Sequence, residues 1–300
     1  MTNTYHSAFI ALIGRPNSGK STLLNTILGE QVSIVTSLPQ TTRKNLKGIY
    51  TDSEMQLVFI DTPGIHGGKY KLNTAMIDEA ERALKEGDVD IVCYVVDLMR
   101  EFGEEEEKIA GLVSNFTSKR IIIFNKKDRI PDPEAKTREF LEKFPSLQEL
   151  PSLIVSATAP ETGDRFLEAI KPLVPEGPQY FPEEDITDEN LRFFAAEYIR
   201  RCIIQNTRQE IPHACFVEIE SYKEKEQGHF IEATIHVETK GQRGILVGKG
   251  GAVISKIRSY AEADLSKLTG VPAYIKCHIK VTPHWRNDKR FLREHGYPVS

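Results

Sequence analysis

The chain is poor in the features that mark secreted, metal-stapled or membrane-spanning proteins. Only four of its 300 residues are cysteine, and they are widely scattered without a CxxC pair. This pattern argues against a disulfide framework and against a zinc site, and it predicts reduced thiols in a cytoplasmic protein. The longest apolar runs, such as 91–96, fall far short of the roughly 18 residues that a bilayer span needs. No Lys or Arg precedes the first apolar run, so we expect no secretory leader.

The composition is that of an ordinary folded chain, with 40% hydrophobic and 27% charged residues, which excludes wholesale disorder. At a usual size of about 150 residues per domain, the length predicts two domains. Four prolines crowd into residues 171–184 and prevent a continuous helix there. We therefore expect an N-terminal domain at 1–175, a Pro-rich linker at 176–184 and a C-terminal domain with a basic end at 185–300.

Hydrophobic periodicity predicts different folds before and after the linker. Strands are expected at 8–13, 56–61, 91–96, 120–125 and 153–156, with helices at 20–28, 72–84, 134–144 and 165–173 and an acidic helix start at 104–107. This alternation is typical of an α/β domain whose mostly parallel sheet has helices on both faces. After the linker, a helix at 188–206, strands at 213–221 and 229–238, a short helix at 240–247 followed by a second helix, and a strand at 273–281 predict a compact α+β module.

The first strand runs directly into a complete GxxxxGK[ST] motif, Gly14-Arg15-Pro16-Asn17-Ser18-Gly19-Lys20-Ser21. Glycines let consecutive backbone N–H groups curl around phosphate oxygens at the positive end of a helix. The lysine of such a motif reaches the β- and γ-phosphates, and its hydroxyl can ligate Mg²⁺. A turn that binds nothing is the alternative, but the full motif between a strand and a helix favours a nucleoside triphosphate.

Three further segments end successive strands and specify the base: Asp61-Thr62-Pro63-Gly64, Asn125-Lys126-Lys127-Asp128 and Ser156-Ala157-Thr158. Asp61 can hold the Mg²⁺ shell, and a glycine N–H can meet the γ-phosphate. The carboxylate of Asp128 can accept hydrogen bonds from the ring N–H and exocyclic amine of guanine, a donor pair that adenine lacks. Each segment alone is an ordinary turn or cap, whereas their order at strand ends predicts a guanine-nucleotide site.

The C-terminal part contains a strongly basic stretch. Residues 240–293 hold twelve Lys and Arg against three acids, a net charge of +9, although the whole chain is at −4. Such a segment is a polyanion-binding face or simply a solvated basic surface. Within it, Gly248-Lys249-Gly250-Gly251 fits GxxG, a loop that lets single-stranded RNA approach the backbone in KH modules. A glycine helix cap is the alternative for an isolated GxxG, and membrane-surface attachment is the alternative for the basic segment.

Across nearly its whole length the chain resembles translation-factor-related GTPases, and specifically the bacterial Era family. Besides the motifs above, the resemblance rests on 39–43 (PQTTR), 61–66 (DTPGIH), 71–73 (KLN), 185–188 (DITD), 244–251 and 284–286 (HWR). It implies a P-loop GTPase domain followed by a type II KH domain. It also implies GTP or GDP with Mg²⁺ as ligands, Ser21, Thr42 and Asp61 around the metal, and a role for Gly64 and Ile65 at the γ-phosphate.

The resemblance makes the chain a GTP hydrolase with a slow intrinsic rate, because Ile65 stands where many small GTPases carry a water-orienting glutamine. Lys20, Thr42 and Asn17 are the expected catalytic residues. Some relatives recruit K⁺ through the asparagine equivalent to Asn17, which motivates a potassium hypothesis. His66 as a general base is a weaker alternative, since a lone loop histidine is usually only solvated.

The family also implies the partner, the single-stranded 3′ end of 16S rRNA in the 30S subunit, and a role in small-subunit maturation. Residues expected to bind RNA are Gly248, Lys249, Gly250, Gly251, Lys256, Arg258, Lys280, Trp285 and Arg286, with Tyr274 as a further stacking candidate. We expect a monomer, cytoplasmic or peripherally in contact with the inner membrane. Nucleotide-dependent movement of the 36–44 and 64–71 loops is expected to alter RNA binding. A scaffold that hydrolyses nothing and a tRNA-modification GTPase are the rivals, although the chain shows no added catalytic module.

Overall fold

The computed structural model describes residues 4–35, 42–43, 45–64, 70–72, 89–297 and 299. The chain divides into two compact units, one of residues 1–69 and 73–188, the other of residues 70–72 and 189–300. The expectations for Ile65 and His66, for most of the 36–44 and 64–71 loops and for the 72–84 helix lie outside the described residues. The domain limits expected from the sequence remain a prediction.

The first unit is built on a sheet with six strands in the described part of the chain. They are β1 (His6–Ile13), β2 (Leu46–Thr51), β3 (Met55–Asp61), β4 (Ile91–Asp97), β5 (Lys119–Asn125) and β6 (Ser152–Ile154). Their order is β2-β3-β1-β4-β5-β6, and only the edge strand β2 runs antiparallel to its neighbour. β1, β3, β4 and β5 are almost entirely buried, as expected for strands covered on both faces.

Helices cover both faces of this sheet: α1 (Lys20–Leu28), α2 (Glu104–Ser114), α3 (Pro133–Lys143) and α4 (Thr162–Ile170). Alternate residues of each strand feed two separate hydrophobic clusters, one containing Leu23 and Phe166 of α1 and α4, the other containing Ile109 and Phe140 of α2 and α3. The period of two along a strand produces this division. The predicted α/β fold with helices on both faces is confirmed.

The second unit is a smaller α+β assembly. It contains α5 (Leu191–Asn206), α6 (Ile211–Ala214), β7 (Phe216–Lys225), β8 (Gly228–Val237), α7 (Lys240–Val247), α8 (Ala252–Thr269), β9 (Ala273–Val281) and α9 (Lys289–Glu294). β7 and β8 are antiparallel, while β8 and β9 are parallel, in the order β7-β8-β9. The α-β-β-α-α-β order expected from the sequence is present, with a short α6 and a terminal α9 added.

Two local differences from the sequence prediction have clear causes. β2 was not expected, because its sequence LKGIYT does not alternate cleanly and its edge position comes only from pairing with β3. The strand expected from residue 213 begins at Phe216 instead, because Pro212 stands at the start of the α6 turn. Proline is favourable in a first helical turn and cannot donate to a strand ladder.

The Pro-rich stretch packs against the first unit. The Gln56 side chain donates to Phe181 O at 2.9 Å and accepts from the N–H groups of Tyr180 and Phe181 at 2.8 and 3.0 Å. Farther along, Ile49 N donates to Ile186 O at 2.9 Å, so the segment also satisfies a backbone donor of the edge strand β2. Residues 180–186 therefore shield the unpaired edge of the sheet.

No helix in the described ranges combines the length and the apolar character that crossing a bilayer takes.

Candidate functional site

The loop between β1 and α1 has the backbone shape of an anion cradle. Gly14 has φ +153°, and a Cβ there would lie 2.4 Å from Val95 O. Gly19 has φ +101°, and a Cβ there would lie 2.0 Å from the Nδ2 atom of Asn125. Asn17 adopts φ +64° between them. Only glycine fits at the two outer positions, so the tight curl of residues 14–21 at the start of α1 is fixed by the sequence.

The ammonium group of Lys20 is held inside this curl. The side chain is buried, and Nζ donates to Gly14 O at 3.2 Å and to Arg15 O at 3.1 Å. Burial lowers the pKa of Lys20 to about 8, although the charges of Asp61 and Glu106 act in the opposite direction. Among the described residues no carboxylate forms an ion pair with Lys20, and a buried cation of this kind is suited to an anionic ligand, which would compensate its desolvation.

Three hydroxyl groups converge on the carboxylate at the end of β3. Oδ2 of Asp61 accepts from Ser21 Oγ at 2.6 Å, from Ser33 Oγ at 2.9 Å and from Thr42 Oγ1 at 3.3 Å. The other oxygen, Oδ1, is buried and has no hydrogen-bond partner among the described residues. Burial raises the pKa of Asp61 above its usual value, while Lys20 and the hydroxyls oppose the shift. Hydroxyl and carboxylate oxygens that can bind a metal ion therefore lie together, and among the described residues one carboxylate oxygen accepts no hydrogen bond.

This donor set fits Mg²⁺. Magnesium takes oxygen ligands at 2.0–2.1 Å in an octahedron, which places neighbouring ligands about 2.9 Å apart. The two hydroxyls predicted to ligate the ion, Ser21 Oγ and Thr42 Oγ1, lie 3.0 Å apart. Asp61 Oδ1 offers a further acceptor, which has no hydrogen-bond partner in the described part of the chain. The residues predicted to surround the metal are therefore together, and Ser33 joins them.

Asn125 ties the loops that would surround the base to the phosphate loop. Its Nδ2 donates to Ser18 O at 2.8 Å, and its Oδ1 accepts from Ala157 N at 2.8 Å and from Lys126 N at 2.7 Å. The side chain is buried at the end of β5. One asparagine therefore sets the spacing between three of the four predicted segments.

Asp128 lines a cavity that Lys20 and Ser21 also line. Its side chain is 41% exposed and forms an ion pair with Arg129 at 3.0 Å. A hydrogen bond with Ser156 is the main cause that lowers the pKa of Asp128, so the group is a carboxylate at neutral pH. An ionised, accessible acceptor is the state that recognition of two N–H donors requires.

Most of the remaining motif residues bond to neighbouring strands and loops of the protein. Thr62 is buried and donates to Leu12 O at 2.7 Å. Lys126 forms an ion pair with Asp97 at 2.7 Å. A single cavity of about 440 Å³ brings most of the predicted positions together, with lining residues that include Pro16, Asn17, Gly19, Lys20, Ser21, Thr42, Gly64, Asn125, Lys126, Asp128, Ser156, Ala157 and Thr158. Pro63 adjoins Gly64, and Lys127 N bonds to Val155 O.

Sequence reasoning missed some residues that hold this site. Ser33 donates to Asp61, but a lone serine in a loop carries no signal. Arg15 pairs with Glu105 at 2.8 Å and with Glu106 at 3.4 Å, which anchors the phosphate loop to α2. The acidic start of α2 suggested only a favourable helix terminus, because no local pattern reveals a partner 90 residues away.

A second groove lies in the second unit, beside the GxxG loop. Gly248, Gly250 and Gly251 have φ of +71°, +60° and +82°, and Cβ atoms on Gly250 and Gly251 would meet nothing within 4 Å. The loop is therefore open to a ligand on that side. A cavity of about 750 Å³ lies between α7 and β9, lined by Lys240, Arg243, Gly244, Val247, Gly248, Ile279, Lys280 and Val281. Apolar walls with basic groups at the rim suit bases and phosphates respectively.

The lysine and arginine side chains around the groove differ in whether a neighbouring residue already contacts their charge. Within the described part of the chain, Lys240, Arg243 and Lys280 form no ion pair with an acid. Arg258 lies 3.8 Å from Glu262, and Lys256 lies over the ring of Tyr260. Lys249 and Lys280 are exposed. The predicted basic face therefore keeps several free cations next to the GxxG loop.

Trp285 and Arg286 require a correction. Trp285 is fully buried, and its indole N–H donates to Ala214 O at 2.9 Å. Arg286 is buried, forms an ion pair with Glu238 and covers the ring of Tyr70 at 3.8 Å. Both side chains are used in packing, so the prediction that they contact RNA is wrong. Tyr274, in contrast, is 49% exposed and stacks on Phe230 with a centroid distance of 5.1 Å.

Comparison with known proteins agrees with this two-part architecture. A family model described as "50S ribosome-binding GTPase" matches residues 9–126, and a KH-domain model matches residues 210–286. The chain is 38% identical to GTPase Era of Geobacter metallireducens over 98% of this chain and 99% of that protein. It is 42% identical to GTPase Era of Thermotoga maritima over 95% of both.

Solved structures give the same result. A crystal structure of an Aquifex aeolicus Era variant bound to GDP·AlF4⁻ superposes with a TM-score of 0.90 at 31% identity, covering 98% of this chain and all of that one. A structure of Era with MgGDPNP and nucleotides 1506–1542 of 16S ribosomal RNA gives the same TM-score, identity and coverage. Identity above 30% over almost the full length, with both folds in the same order, shows that the chain belongs to the GTPase Era family.

Proposed function

We propose that this chain binds and hydrolyses GTP with Mg²⁺ in its first unit and binds the single-stranded 3′ end of 16S rRNA with its second unit, in the maturation of the small ribosomal subunit. The observation that carries the proposal is that one cavity is lined by Lys20, by the two hydroxyl residues Ser21 and Thr42 that bond to Asp61, and by Asp128, whose carboxylate is exposed. Membership of the GTPase Era family supports GTP hydrolysis as the reaction.

The residues divide the nucleotide between them. Backbone N–H groups of residues 17–21 surround the phosphates, and Lys20 gives up its contacts with Gly14 O and Arg15 O to bind the terminal oxygens. Ser21, Thr42 and Asp61 hold Mg²⁺, which neutralises charge on the phosphates when bound. Asn125 keeps the base loops at the correct distance, and Asp128 accepts the two N–H donors of guanine.

Hydrolysis depends on positioning and charge more than on a general base. Lys20 fixes a positive charge where negative charge accumulates on the transferred phosphoryl group, and Thr42 closes over the metal side. The Asn17 side chain lines the phosphate end of the cavity, where a carbonyl oxygen can contribute to a K⁺ site. K⁺ bound there would supply the positive charge that other GTPases obtain from an arginine finger.

The RNA proposal rests on the open GxxG loop and its groove. Phosphates approach the backbone at Gly250 and Gly251, bases enter between α7 and β9, and Lys249 and Lys280 contribute charge. The related Era structure with 16S rRNA nucleotides supports the choice of RNA. The protein is further proposed to be a monomer. The basic surface outside the groove is proposed to make a peripheral contact with anionic lipid. Sedimentation with anionic vesicles, set against added RNA, tests the lipid contact.

The decisive experiment measures nucleotide selection and turnover on the purified chain. We expect GTP and GDP, but not ATP, to bind with Mg²⁺, and phosphate to be released in a single turnover. Lys20→Ala is the blank for both measurements. Equal affinity for ATP and GTP, or no phosphate release above the blank, overturns the proposal and favours a scaffold that hydrolyses nothing.

The potassium part has its own readout. Hydrolysis is expected to be faster in KCl than in NaCl at equal ionic strength, and Asn17→Ala is expected to remove that difference. Equal rates in the two salts, with Asn17→Ala unchanged, contradict the role of Asn17 but leave GTP hydrolysis intact.

A further inference from the structure

Two histidines and a glutamate meet in the second unit, where His236 pairs in register with the groove residue Lys280 on β9. Glu218 lies on β7, His236 on β8, and His295 just after α9. The distance from His236 Nε2 to Glu218 Oε2 is 2.9 Å, and that from His295 Nε2 to Glu218 Oε1 is 3.5 Å. One ligand atom from each residue lies within 4.8 Å of the other two. Three elements distant in sequence therefore bring three metal-binding groups to one point.

In each histidine, Nδ1 is the ring nitrogen that does not face Glu218, and it forms a hydrogen bond with another residue. Nδ1 of His295 lies 2.7 Å from Phe291 O, an atom that can only accept, so Nδ1 carries the proton and Nε2 of the neutral ring offers a lone pair. Nδ1 of His236 lies 2.9 Å from Thr282 Oγ1, which can accept or donate. Metal-binding histidines characteristically donate their second N–H in this way, since it fixes the tautomer and the ring orientation.

The spacing of the three groups suits a tetrahedral ion. Zinc binds His nitrogen at 2.0–2.1 Å and carboxylate oxygen at 2.0–2.2 Å, which separates neighbouring ligand atoms by about 3.3 Å. The two contacts, 2.9 and 3.5 Å, run to different oxygens of Glu218, and one ligand atom from each residue lies within 4.8 Å of the other two. Rotation of the side chains about their torsions would bring one Glu218 oxygen and the two nitrogens to tetrahedral spacing around an ion.

The surroundings are rigid and partly closed. Phe216 meets the ring of His295 edge-on at 4.7 Å, and Phe291 stacks on it at 4.1 Å. His236 is 3% exposed. Glu218 is 36% exposed, so an ion and a water ligand can enter from its side.

We propose that Glu218, His236 and His295 form a binding site for one divalent zinc-type cation, with water as the fourth ligand. The bound ion joins the segment after α9 to the β7–β8 hairpin and stabilises the second unit. The scattered cysteines argued against a zinc site, but zinc sites built from histidine and carboxylate do not depend on cysteine spacing.

The test uses the full chain, stripped with a chelator and saturated with MgGDP so that the nucleotide site does not compete. Titration calorimetry with ZnCl2, followed by dialysis and metal analysis, is expected to give one equivalent of zinc. His295→Gln and Glu218→Gln are expected to weaken binding by roughly tenfold or more, since each removes a ligand while keeping polar contacts. His278→Gln is the matched control, because His278 is exposed on the neighbouring strand β9.

A second readout distinguishes ligation from loss of folding. Zinc is expected to raise the melting temperature of the wild-type chain and of His278→Gln, and to leave both ligand variants unchanged. Co²⁺ in place of zinc is expected to give the strong visible absorption of a tetrahedral site only in the first two proteins. If the wild type takes up no zinc, or if both ligand variants retain a full equivalent, the proposal is wrong.

Discussion

At the scale of single residues, the protein destabilises the charged form of Lys20 and stabilises the charged form of Asp128, two residues that line the nucleotide cavity. Lys20 is buried and its charge is destabilised, which burial alone explains. Asp128 is exposed and its charge is stabilised by Ser156. The first group awaits a ligand anion to compensate it, while the second is ready to accept hydrogen bonds. Both properties can be tested by titration or by substitution.

The lowered pKa of Lys20 predicts proton-linked nucleotide binding. Above a pH of about 8 the free site holds mainly neutral lysine, and the phosphates of GDP favour the charged form. Binding should therefore take up a proton, and GDP affinity should fall as the pH rises through 8 and beyond, by up to about tenfold per pH unit.

Calorimetry at pH 8.5 in buffers of different ionisation enthalpy measures that uptake directly. Lys108→Ala, which removes an exposed lysine of α2 outside the cavity, is expected to show the same proton uptake. A GDP affinity that is constant from pH 7.5 to 9.5 would mean that Lys20 stays charged in the free protein.

The carboxylate of Asp128 predicts a change of base preference on substitution. Asp128→Asn replaces one acceptor by a donor, so guanine loses about 1–3 kcal/mol of binding free energy. Xanthine, which carries a carbonyl where guanine has its amine, should gain affinity. Competition of GDP and XDP against a fluorescent nucleotide measures both effects, with Asp164→Asn, an exposed position of α4, as control. Unaltered preference for GDP in Asp128→Asn rules out this residue as the selector.

At the scale of elements, the second unit uses glycine in two different ways at the two ends of α8. Gly250 precedes the helix in the GxxG loop with φ +60°, and Gly270 ends it with φ +73°. A Cβ at either position meets nothing within 4 Å. The two sites have nearly the same backbone conformation, but only the first borders the proposed RNA groove.

This pair allows a matched test of the RNA groove. Gly250→Asp places a carboxylate where RNA phosphates approach, and we expect a loss of roughly tenfold or more in affinity for a 16S 3′-end oligonucleotide, with melting only slightly changed. Gly270→Asp imposes a similar backbone cost without facing the groove, so RNA affinity should be retained. Fluorescence anisotropy measures binding. Equal affinity for the two variants would exclude the GxxG loop as the contact.

At the scale of the whole molecule, a short segment that follows the phosphate-binding residues in sequence belongs to the second unit. Tyr70–Leu72 groups with the second unit, where Lys71 N donates to Asn287 Oδ1 at 3.1 Å and Arg286 covers Tyr70. Gly64, which lines the nucleotide cavity, precedes Tyr70 by only six positions. A change at the phosphate end therefore has a short covalent route to residues of the second unit.

This route predicts that RNA affinity depends on the nucleotide. Affinity for the 16S 3′ end should differ between a GTP analogue, GDP and no nucleotide, and Tyr70→Ala should reduce the difference by removing the contact with Arg286. Tyr180→Ala, an exposed tyrosine of the Pro-rich stretch, serves as the control. Identical affinity in all three nucleotide states contradicts the coupling.

The sequence by itself determined the phosphate loop, the end of β3 and the base loops, because these depend on local backbone chemistry that is written in consecutive residues. It also determined β9 and α7 to the residue. Only the tertiary structure decided which side chains are buried and which residues distant in sequence contact each other. Trp285 and Arg286 read as RNA contacts but are buried, Ser33 joins Asp61, and Glu218 meets two histidines. Burial and long-range pairing depend on the packing of distant elements, and no short stretch of sequence encodes them.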